Sequence, residues 1–262
     1  MSAVCQAELR ILGEESPPGE YLDENGNPAG VTIDLVKDLL RRQGITATIS
    51  ILPWKRAYHM GLHEKKVVLL ETTRTEERED LFKWVGPILV LNRVIYSMAD
   101  YDGMLKKTED IKHVKKICVL RGSSNETYLK ALGLTNINPV GKPSQCLKML
   151  QSRRVQLFYT SEIGMDGLLT EQNMAPDSVK AIFNLKKEYL YLAFSKDISE
   201  LQIMNWQATL EDSKRDGTLA NIYQGVYSEE TIKEVCLPGD PLARGDGSPK
   251  LDNWLNDASD DQ

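Results

Sequence analysis

The chain has 262 residues, of which 41% are hydrophobic and 27% charged, and it carries a formal net charge of −6. These values are typical of a soluble globular protein built as one large domain or as two domains of ordinary size. They argue against nucleic-acid binding, because phosphate contacts need a basic surface. No run approaches the roughly 18 apolar residues of a membrane span. The segment from Pro238 to Gln262 has six Asp against two basic residues and so carries −4 of the −6.

The N-terminal segment bears on the cellular compartment. Cys5-Gln6-Ala7 could be the small-residue end of a signal peptide cut before Glu8, or simply part of an ordinary N-terminus. The sequence leaves both alternatives open.

The cysteines and histidines do not have the spacing of a metal site. The four cysteines lack C-x-x-C spacing, so neither zinc nor a dithiol redox centre is expected. Cys118 and Cys146 are expected as core thiols, with a disulfide between them as the alternative in an exported protein. His59 and His63 lie one helical turn apart and are expected on a helix surface. We therefore expect no metal and no cofactor.

The first part of the chain alternates predicted strands and helices. Residues 31–44 have apolar side chains at helical spacing and end at Gly44, which predicts a helix. Asn25-Gly26, in the turn-rich stretch before it, is a strong tight-turn signal. The predicted elements, in chain order, are a strand over 7–15, the helix over 31–44, a strand over 46–52, a helix over 54–64 and a strand over 65–73.

Two extended runs further along are much longer than a typical strand of about 5 or 6 residues. They cover residues 86–99 and 186–197 and flank a series of shorter elements. These are predicted strands over 115–122, 137–141 and 155–161, helices over 124–134, 143–154 and 162–172, and two final helices over 199–217 and 218–227.

Strands that alternate with helices predict parallel sheets covered by helices. Two long crossings predict two lobes, with the chain passing out and back. We therefore expect an α/β fold in which residues 1–92 plus 192–228 form the first lobe and residues 93–191 the second. Residues 229–262 are expected to form a C-terminal extension that is partly disordered.

The chain resembles the periplasmic solute-binding proteins of the polar amino-acid ABC transporter type, the type II venus-flytrap proteins. The resemblance covers about residues 8 to 227 and is carried by four stretches, EESPPGEYLDENGNPAGVTIDL, PWKRAY, TTRTEEREDLFKWVGP and KRDGTLANIYQGVY. It implies two α/β lobes joined by two hinge crossings, with a solute bound between the lobes.

The stretch TTRTEEREDLFKWVGP holds the main candidate for ligand binding, Arg78. It follows Thr73 at the end of a predicted strand, where ligands of α/β sheets bind. An arginine binds a carboxylate through two parallel hydrogen bonds. The resemblance assigns this role to Arg78, whereas Arg74 is expected to be a solvated or structural residue. The alternative for Arg78 is an ion pair with a neighbouring acid such as Glu76, Glu77 or Glu79.

Other ligand-binding positions follow from the same resemblance. Trp54 corresponds to an aromatic residue over the solute, and Glu15 and Tyr21 lie on a segment that lines the cleft in the family. In the second lobe, Ser123 and Ser124 match a turn whose hydroxyl and N–H groups face the solute, although a serine there is also an ordinary helix cap.

Ser161 departs from the family pattern. Amino-acid receptors of this type carry an aspartate at the matching position, which pairs with the ammonium group of the solute. A serine cannot neutralise a buried charge. Either Glu162, Glu15 or Glu188 supplies the anion, or the solute has no α-amino group.

The resemblance implies a monomeric periplasmic receptor that delivers a small carboxylate-bearing solute, an amino acid or a related compound, to a membrane ABC permease. The expected alternatives are an enzyme on the same scaffold, a cyclohexadienyl dehydratase with Glu15 or Glu188 as general acid, and a detached sensor domain. The sequence does not identify the solute.

Overall fold

The computed structural model describes residues 8–239, and contacts between Cα atoms divide this part of the chain into two units. The first unit comprises residues 8–90 and 189–239, and the second comprises residues 91–188. The chain passes from one unit to the other within two strands of 16 residues each, β6 (Lys83–Met98) and β10 (Val179–Phe194). These are the two long extended runs seen in the sequence, and β10 begins seven residues earlier than expected. That the units are lobes moving about hinges stays a prediction.

The first unit contains a mostly parallel sheet. Strand β1 lies between β4 and β5 and runs parallel to both, while the end of β10 pairs antiparallel with β5. Residues 67–70 of β5 are all buried, as expected for a parallel strand covered by helices on both faces. The strands are β1 (Leu9–Gly13), β4 (Ala47–Ile51) and β5 (Val67–Thr73), and a small hairpin is formed by β2 (Tyr21–Leu22) and β3 (Pro28–Ala29).

Helices pack on this sheet through the apolar stripes seen in the sequence. In α1 the four apolar side chains of the stripe are buried, and the helix ends at Gly44 in a left-handed conformation with φ of 63°. The helices of the unit are α1 (Val31–Gln43), α2 (Trp54–His63), α3 (Glu76–Glu79), α7 (Glu200–Arg215), α8 (Thr218–Tyr223) and α9 (Glu229–Val235).

In the second unit, strands and helices alternate in the same way as in the first. Strand β7 (Ile117–Leu120) runs parallel to β8 (Ile137–Val140) and to β9 (Leu157–Ser161), and the far end of β6 pairs antiparallel with β9. Two 3-10 turns, Thr108–His113 and Pro176–Ser178, were not predicted. The regular elements are β7 (Ile117–Leu120), β8 (Ile137–Val140), β9 (Leu157–Ser161), α4 (Ser124–Ala131), α5 (Pro143–Gln151) and α6 (Glu162–Glu171).

A disulfide joins Cys118 of β7 to Cys146 of α5 and closes a sequence separation of 28 residues. Both residues are fully buried in the core of the second unit. The expectation of two free core thiols is therefore wrong, and the alternative of a disulfide is what the structure shows. The apolar pattern of the sequence predicted that both side chains face the core. It could not show that β7 and α5 bring the two sulfur atoms within bonding distance.

The segment assigned to the C-terminal extension begins with an ordered element. Helix α9 starts at the N-cap Ser228, whose hydroxyl accepts a hydrogen bond from the Thr231 N–H group, and it buries Val235. The expected disorder beyond it and the candidate signal-peptide remnant, residues 5–7, fall outside residues 8–239. Within residues 8–239 no helix is long and apolar enough to cross a membrane.

Candidate functional site

The carboxyl ends of three parallel strands meet at one edge of the sheet in the first unit. Strand β1 ends at Gly13, β4 leads through Pro53 into the start of α2 at Trp54, and β5 ends at Thr73. Parallel pairing of β1 with both neighbours places these three ends at the same edge. This is the edge at which open α/β sheets bind their ligands.

Arg78 is held at this edge by one hydrogen bond and two aromatic rings. Its Nη1 donates to the carbonyl oxygen of Thr73 at 3.2 Å. The guanidinium carbon lies 5.6 Å from the ring centroid of Trp54 and 5.3 Å from that of Tyr58. Such cation–π contacts fix the plane of the guanidinium. The structure thus brings together three of the predicted residues, Arg78, Thr73 and Trp54.

Tyr58 is a member of this group that sequence reasoning missed. It lies one helical turn after Trp54 in α2, and the two ring centroids are 5.4 Å apart. The i, i+4 spacing from a predicted aromatic contact is a signal that could have found it.

Arg78 forms no ion pair with any acid among residues 8–239, at an N–O distance of up to 4.0 Å. The neighbouring Arg74 takes the acid instead: its Nε and Nη2 donate to the two carboxylate oxygens of Glu79, at 2.7 and 2.6 Å. Arg74 also lies over the rings of Trp84 and Tyr191. Arg74 is therefore a structural residue, and Arg78 keeps a guanidinium without a carboxylate partner in the described part of the chain.

Glu15 and Tyr21 lie on the segment that follows β1. The Glu15 side chain is exposed and accepts one long hydrogen bond, 3.4 Å, from the Leu22 N–H group. Tyr21 is half-buried in the hairpin strand β2 and pairs with Ala29. Among residues 8–239, no hydrogen bond links either of them to Arg78.

Ser123 and Ser124 occupy the start of α4 in the second unit. The hydroxyl of Ser123 accepts from the Glu126 N–H group at 3.2 Å and donates to the carbonyl of Leu120 at 2.7 Å. Ser123 is therefore an N-cap with its hydroxyl engaged, while Ser124 is exposed at the first helical position.

Ser161 is also an N-cap, at the start of α6, where its Oγ accepts from the Gly164 N–H group at 3.1 Å. The next residue, Glu162, accepts from the side-chain amide of Asn92 through Oε2 at 2.9 Å. Its other oxygen, Oε1, has no hydrogen-bond partner among residues 8–239. Glu162, the acid next to Ser161, can therefore accept a further hydrogen bond through Oε1.

Glu188 is not suited to be a general acid or an open anionic site. It is buried, and it accepts from Arg93 Nε and from Lys186 Nζ, each at 2.5 Å. Burial opposes ionisation of the carboxyl, but the charges of Arg93 and Lys186 outweigh it and lower its pKa. A general acid needs a raised pKa instead. The pairing with Arg93 was not predicted, because Arg93 lies on β6, 95 residues before Glu188. Lys186 lies two residues before Glu188 on β10, a spacing that places both side chains on one face of the strand.

Three acids near the site edge of the first unit form a group that sequence reasoning also missed. The carboxyl of Glu20 is buried, with Oε1 accepting from the Glu14 N–H group while Oε2 has no partner among residues 8–239. Glu71, in β5, accepts from the hydroxyl of Thr32. Burial raises the pKa of Glu20 well above its usual value and that of Glu71 to about 7. Glu14, Glu20 and Glu71 are called the carboxyl cluster below.

Two surface cavities lie away from these residues. One of about 750 Å³ is lined by Arg10, Lys55, Arg56, His59, Met60 and Glu64, close to the amino end of β1. Another, of about 550 Å³, lies in the second unit around Tyr101 and His113. Neither contains a predicted ligand-binding residue. Volume alone does not mark a site, whereas the three strand ends and Arg78, which has no carboxylate partner among residues 8–239, lie together at one sheet edge.

Residues 8–239 contain no group of three or more His, Cys, Asp or Glu side chains that could hold a metal ion. His59 and His63 face each other on α2 with ring centroids 4.4 Å apart.

Solved structures with the same fold include both binding proteins and other proteins. An ancestral arginine-binding protein bound to glutamine is 27% identical, with a TM-score of 0.66 over 85% of this chain and 98% of that one. A histidine kinase sensor domain with similarity to periplasmic binding proteins is 17% identical, with a TM-score of 0.71 over 82% and 94%. An ancestral amino-acid-binding protein, a precursor of cyclohexadienyl dehydratase, is 21% identical, with a TM-score of 0.67 over 84% and 95%. The last two show the fold alone.

The expected fold class, α/β of the type II periplasmic-binding-protein kind, is confirmed by these neighbours. The chain has no match among curated protein sequences. Residues 9–229 match the model of one family, and this match covers most of the chain. The protein therefore belongs to the bacterial extracellular solute-binding proteins, family 3.

Proposed function

We propose that this protein is a receptor that binds a small carboxylate-bearing solute, an amino acid or a related compound, and delivers it to an ABC-type permease. The proposal depends on the position of Arg78 and on its unused hydrogen-bond donors. Its guanidinium stands at the carboxyl edge of the sheet, oriented by Thr73, Trp54 and Tyr58, and donates one hydrogen bond within residues 8–239. The remaining donors match the two oxygens of a carboxylate.

The aromatic pair has a second role in this proposal. Trp54 and Tyr58 shield one side of Arg78 from water, which strengthens its attraction for an anion. They also offer flat apolar surface to the carbon skeleton of the solute. Thr73 holds Arg78 through its carbonyl oxygen, and we propose that its hydroxyl serves the same anion. Glu15 and Tyr21 remain candidates on the adjoining segment.

An ammonium group on the solute would need an acid, and Glu162 is the one we propose. Ser161 has no charge, Glu188 is already shared by two cations, and Glu15 is exposed. Glu162 keeps Oε1 open at the start of α6, beside Ser161. Ser123 and Ser124 at the start of α4 would then contribute N–H and hydroxyl groups from the second unit.

We further propose that the protein acts in the periplasm as a monomer, with the permease as a transient partner. Membership of an extracellular family supports the compartment. So does the buried disulfide, because disulfides persist in oxidising compartments.

The enzyme alternative with Glu15 or Glu188 as the general acid is weaker. A general acid needs a raised pKa, and Glu188 has a lowered one. The other candidate, Glu15, is exposed to solvent. A sensor role is supported only by likeness of fold.

A thermal-shift screen with amino acids, dicarboxylates and polyamines tests the proposal, together with mass spectrometry of any co-purified compound. A ligand at 100 times its Kd should add about 2.7 kcal/mol of stability. We expect carboxylates to stabilise the protein and polyamines to have no effect. Stabilisation by polyamines alone would refute the proposal, and turnover of a bound compound would favour the enzyme.

A further inference from the structure

A group of three charged side chains in the second unit has an excess of positive charge. Glu188 is shared by Arg93 and Lys186, each at 2.5 Å, and neither cation has a second carboxylate partner among residues 8–239. The pKa of Glu188 is lowered, chiefly because the charges of Arg93 and Lys186 outweigh its burial, so it is ionised at neutral pH. Two cations and one anion leave a net charge of +1.

This charge is largely removed from water. The side chains of Arg93 and Lys186 are 14% and 11% exposed, and that of Glu188 is 2% exposed. A buried charge without a counter-ion is costly, and it favours an anion that can approach through the small exposed part.

Several hydrogen-bond donors of the group are also unused. Arg93 uses Nε for Glu188, while its Nη1 and Nη2 donate to no residue among 8–239. The hydroxyl of Tyr159 is buried and has no hydrogen-bond partner among the same residues. Burial and then the charge of Glu188 raise the pKa of Tyr159, while the charge of Arg93 lowers it, so its hydroxyl lies within the field of this group.

The position in the sheet places this group beside Ser161. In the antiparallel pairing of β6 with β9, Arg93 lies directly opposite Ser161, and Ile95 lies opposite Tyr159. Side chains opposite each other on neighbouring strands have Cβ atoms about 5 Å apart and face the same side of the sheet. Residues two apart share a face, so Arg93, Ser161 and Tyr159 lie on one face. This face is reached at the carboxyl end of β9.

A purely structural ion group would contain equal numbers of positive and negative charges. Arg93 and Glu188 alone would satisfy each other, and replacing both with apolar residues would often be neutral. The second cation, Lys186, is held 4.2 Å from the ring centroid of Tyr128, which orients its ammonium. Two oriented cations around one carboxylate have the arrangement of an anion-binding site.

We propose that Arg93 and Lys186 bind a carboxylate group of the solute in the second unit, with Tyr159 and Ser161 as hydroxyl donors. This inference rests on the proposed function and adds to it that the solute carries a further carboxylate group. Glu188 is then a positioning residue that holds both cations in place and moderates their charge.

The test is calorimetry with matched probes that differ in one charge: L-glutamate against L-glutamine, and succinate against succinamate. We expect the wild-type protein to bind each dicarboxylate at least about 30-fold more tightly than its amide, as expected for a buried charge pair. Arg93→Gln and Lys186→Gln should remove most of this preference and leave the affinity for the amides within about threefold. Arg153→Gln is the control. Arg153 is an exposed residue of the same unit that pairs with Asp100, and its replacement should not change the affinity for any probe.

Glu188→Gln separates a binding role from a structural one, because the two roles predict opposite signs. It raises the net charge of the group from +1 to +2, while glutamine keeps the size of the side chain and one acceptor oxygen to position the cations, so dicarboxylates should bind more tightly. If the group is only structural, the same variant should weaken binding as much as Arg93→Gln does. The double variant Arg93→Gln/Glu188→Gln keeps a net charge of +1 and is measured in case a single variant does not fold.

Three outcomes overturn the inference: no preference for dicarboxylates over their amides, no binding of either dicarboxylate at millimolar concentration, or weaker binding in Glu188→Gln. A failure of the proposed function looks different. In that case Arg78→Ala leaves the binding of every carboxylate probe unchanged, whatever the number of charges.

Discussion

Replacing Glu71 with glutamine is expected to stabilise the protein at neutral and alkaline pH and to have little effect in acid. Glu71 lies in β5 where that strand has one residue more than its partner, since Thr72 and Leu69 pair with Tyr191 and Ala193. Its φ is 38°, a left-handed conformation that is rare outside glycine. Such bulges turn a side chain away from its usual direction, here towards Thr32 at the start of α1.

The magnitude follows from the pKa of Glu71, which is raised from 4.5 to about 7. Burial is the largest cause and the charge of Glu14 adds to it, while the hydrogen bond from Thr32 acts in the opposite direction. At about 1.36 kcal/mol per pH unit, the difference between a pKa of 4.5 and one of about 7 corresponds to about 3 kcal/mol. Glu71 is partly exposed, so the expected effect is about 2 to 3 kcal/mol.

The sign follows from proton binding. Between about pH 4.5 and pH 7 the folded state holds a proton that the unfolded state has lost, so stability falls as the pH rises. The contribution is fully present below pH 4.5 and is lost above about pH 7. Glutamine at this position cannot ionise, and its amide oxygen can still accept from Thr32.

Urea denaturation of wild type and Glu71→Gln from pH 4.5 to pH 8.5, followed by circular dichroism, measures the effect. We expect nearly equal stability at pH 4.5 and an advantage of about 2 to 3 kcal/mol for the variant at pH 8. Glu24→Gln, at an exposed turn position, is the matched control and should show no pH-dependent difference. A difference that does not change with pH, or a variant less stable than wild type at pH 8, would refute the reasoning.

Two further variants test the fold. Reduction of the Cys118–Cys146 disulfide, or its double replacement by serine, should lower the free energy of unfolding by about 3 to 4 kcal/mol, measured by denaturation with and without reductant. Gly30→Ala should destabilise strongly, because φ is 113° and an added Cβ would lie 2.3 Å from the carbonyl oxygen of Gly19. Gly26→Ala is its control, with φ of 78° but open space around the position, and should cost only about 1 kcal/mol. Equal melting temperatures for the two glycine variants would contradict the packing argument.

Much of the fold could be predicted because its signals are local. The apolar stripe of α1, its end at Gly44 and the length of the two crossing strands are all visible in short windows of sequence. Helix α9 was missed because it is short, and its buried face depends on contacts with distant residues.

The candidate site was predictable only in part. The resemblance pointed to Arg78, Thr73 and Trp54, which the structure brings together. It could not show that Arg74 takes Glu79, or that Glu188 lies between Arg93 and Lys186, because side-chain partners depend on three-dimensional packing. For the same reason the carboxyl cluster, drawn from the segment between β1 and β2 and from β5, could not be predicted from the sequence.

Calorimetry on Arg78 variants, with the carboxylate found by the screen, tests the central claim most directly. Removing one partner of a buried charge pair costs about 2 to 5 kcal/mol, so Arg78→Ala should weaken binding by roughly 30-fold to a few thousand-fold. Arg78→Lys should lose much of the same affinity, because an ammonium cannot form two parallel hydrogen bonds with a carboxylate. Arg56→Ala, at an exposed position on α2, should stay within about threefold of wild type. Binding by Arg78→Ala within about threefold of wild type would contradict the assignment of Arg78 as the carboxylate-binding residue.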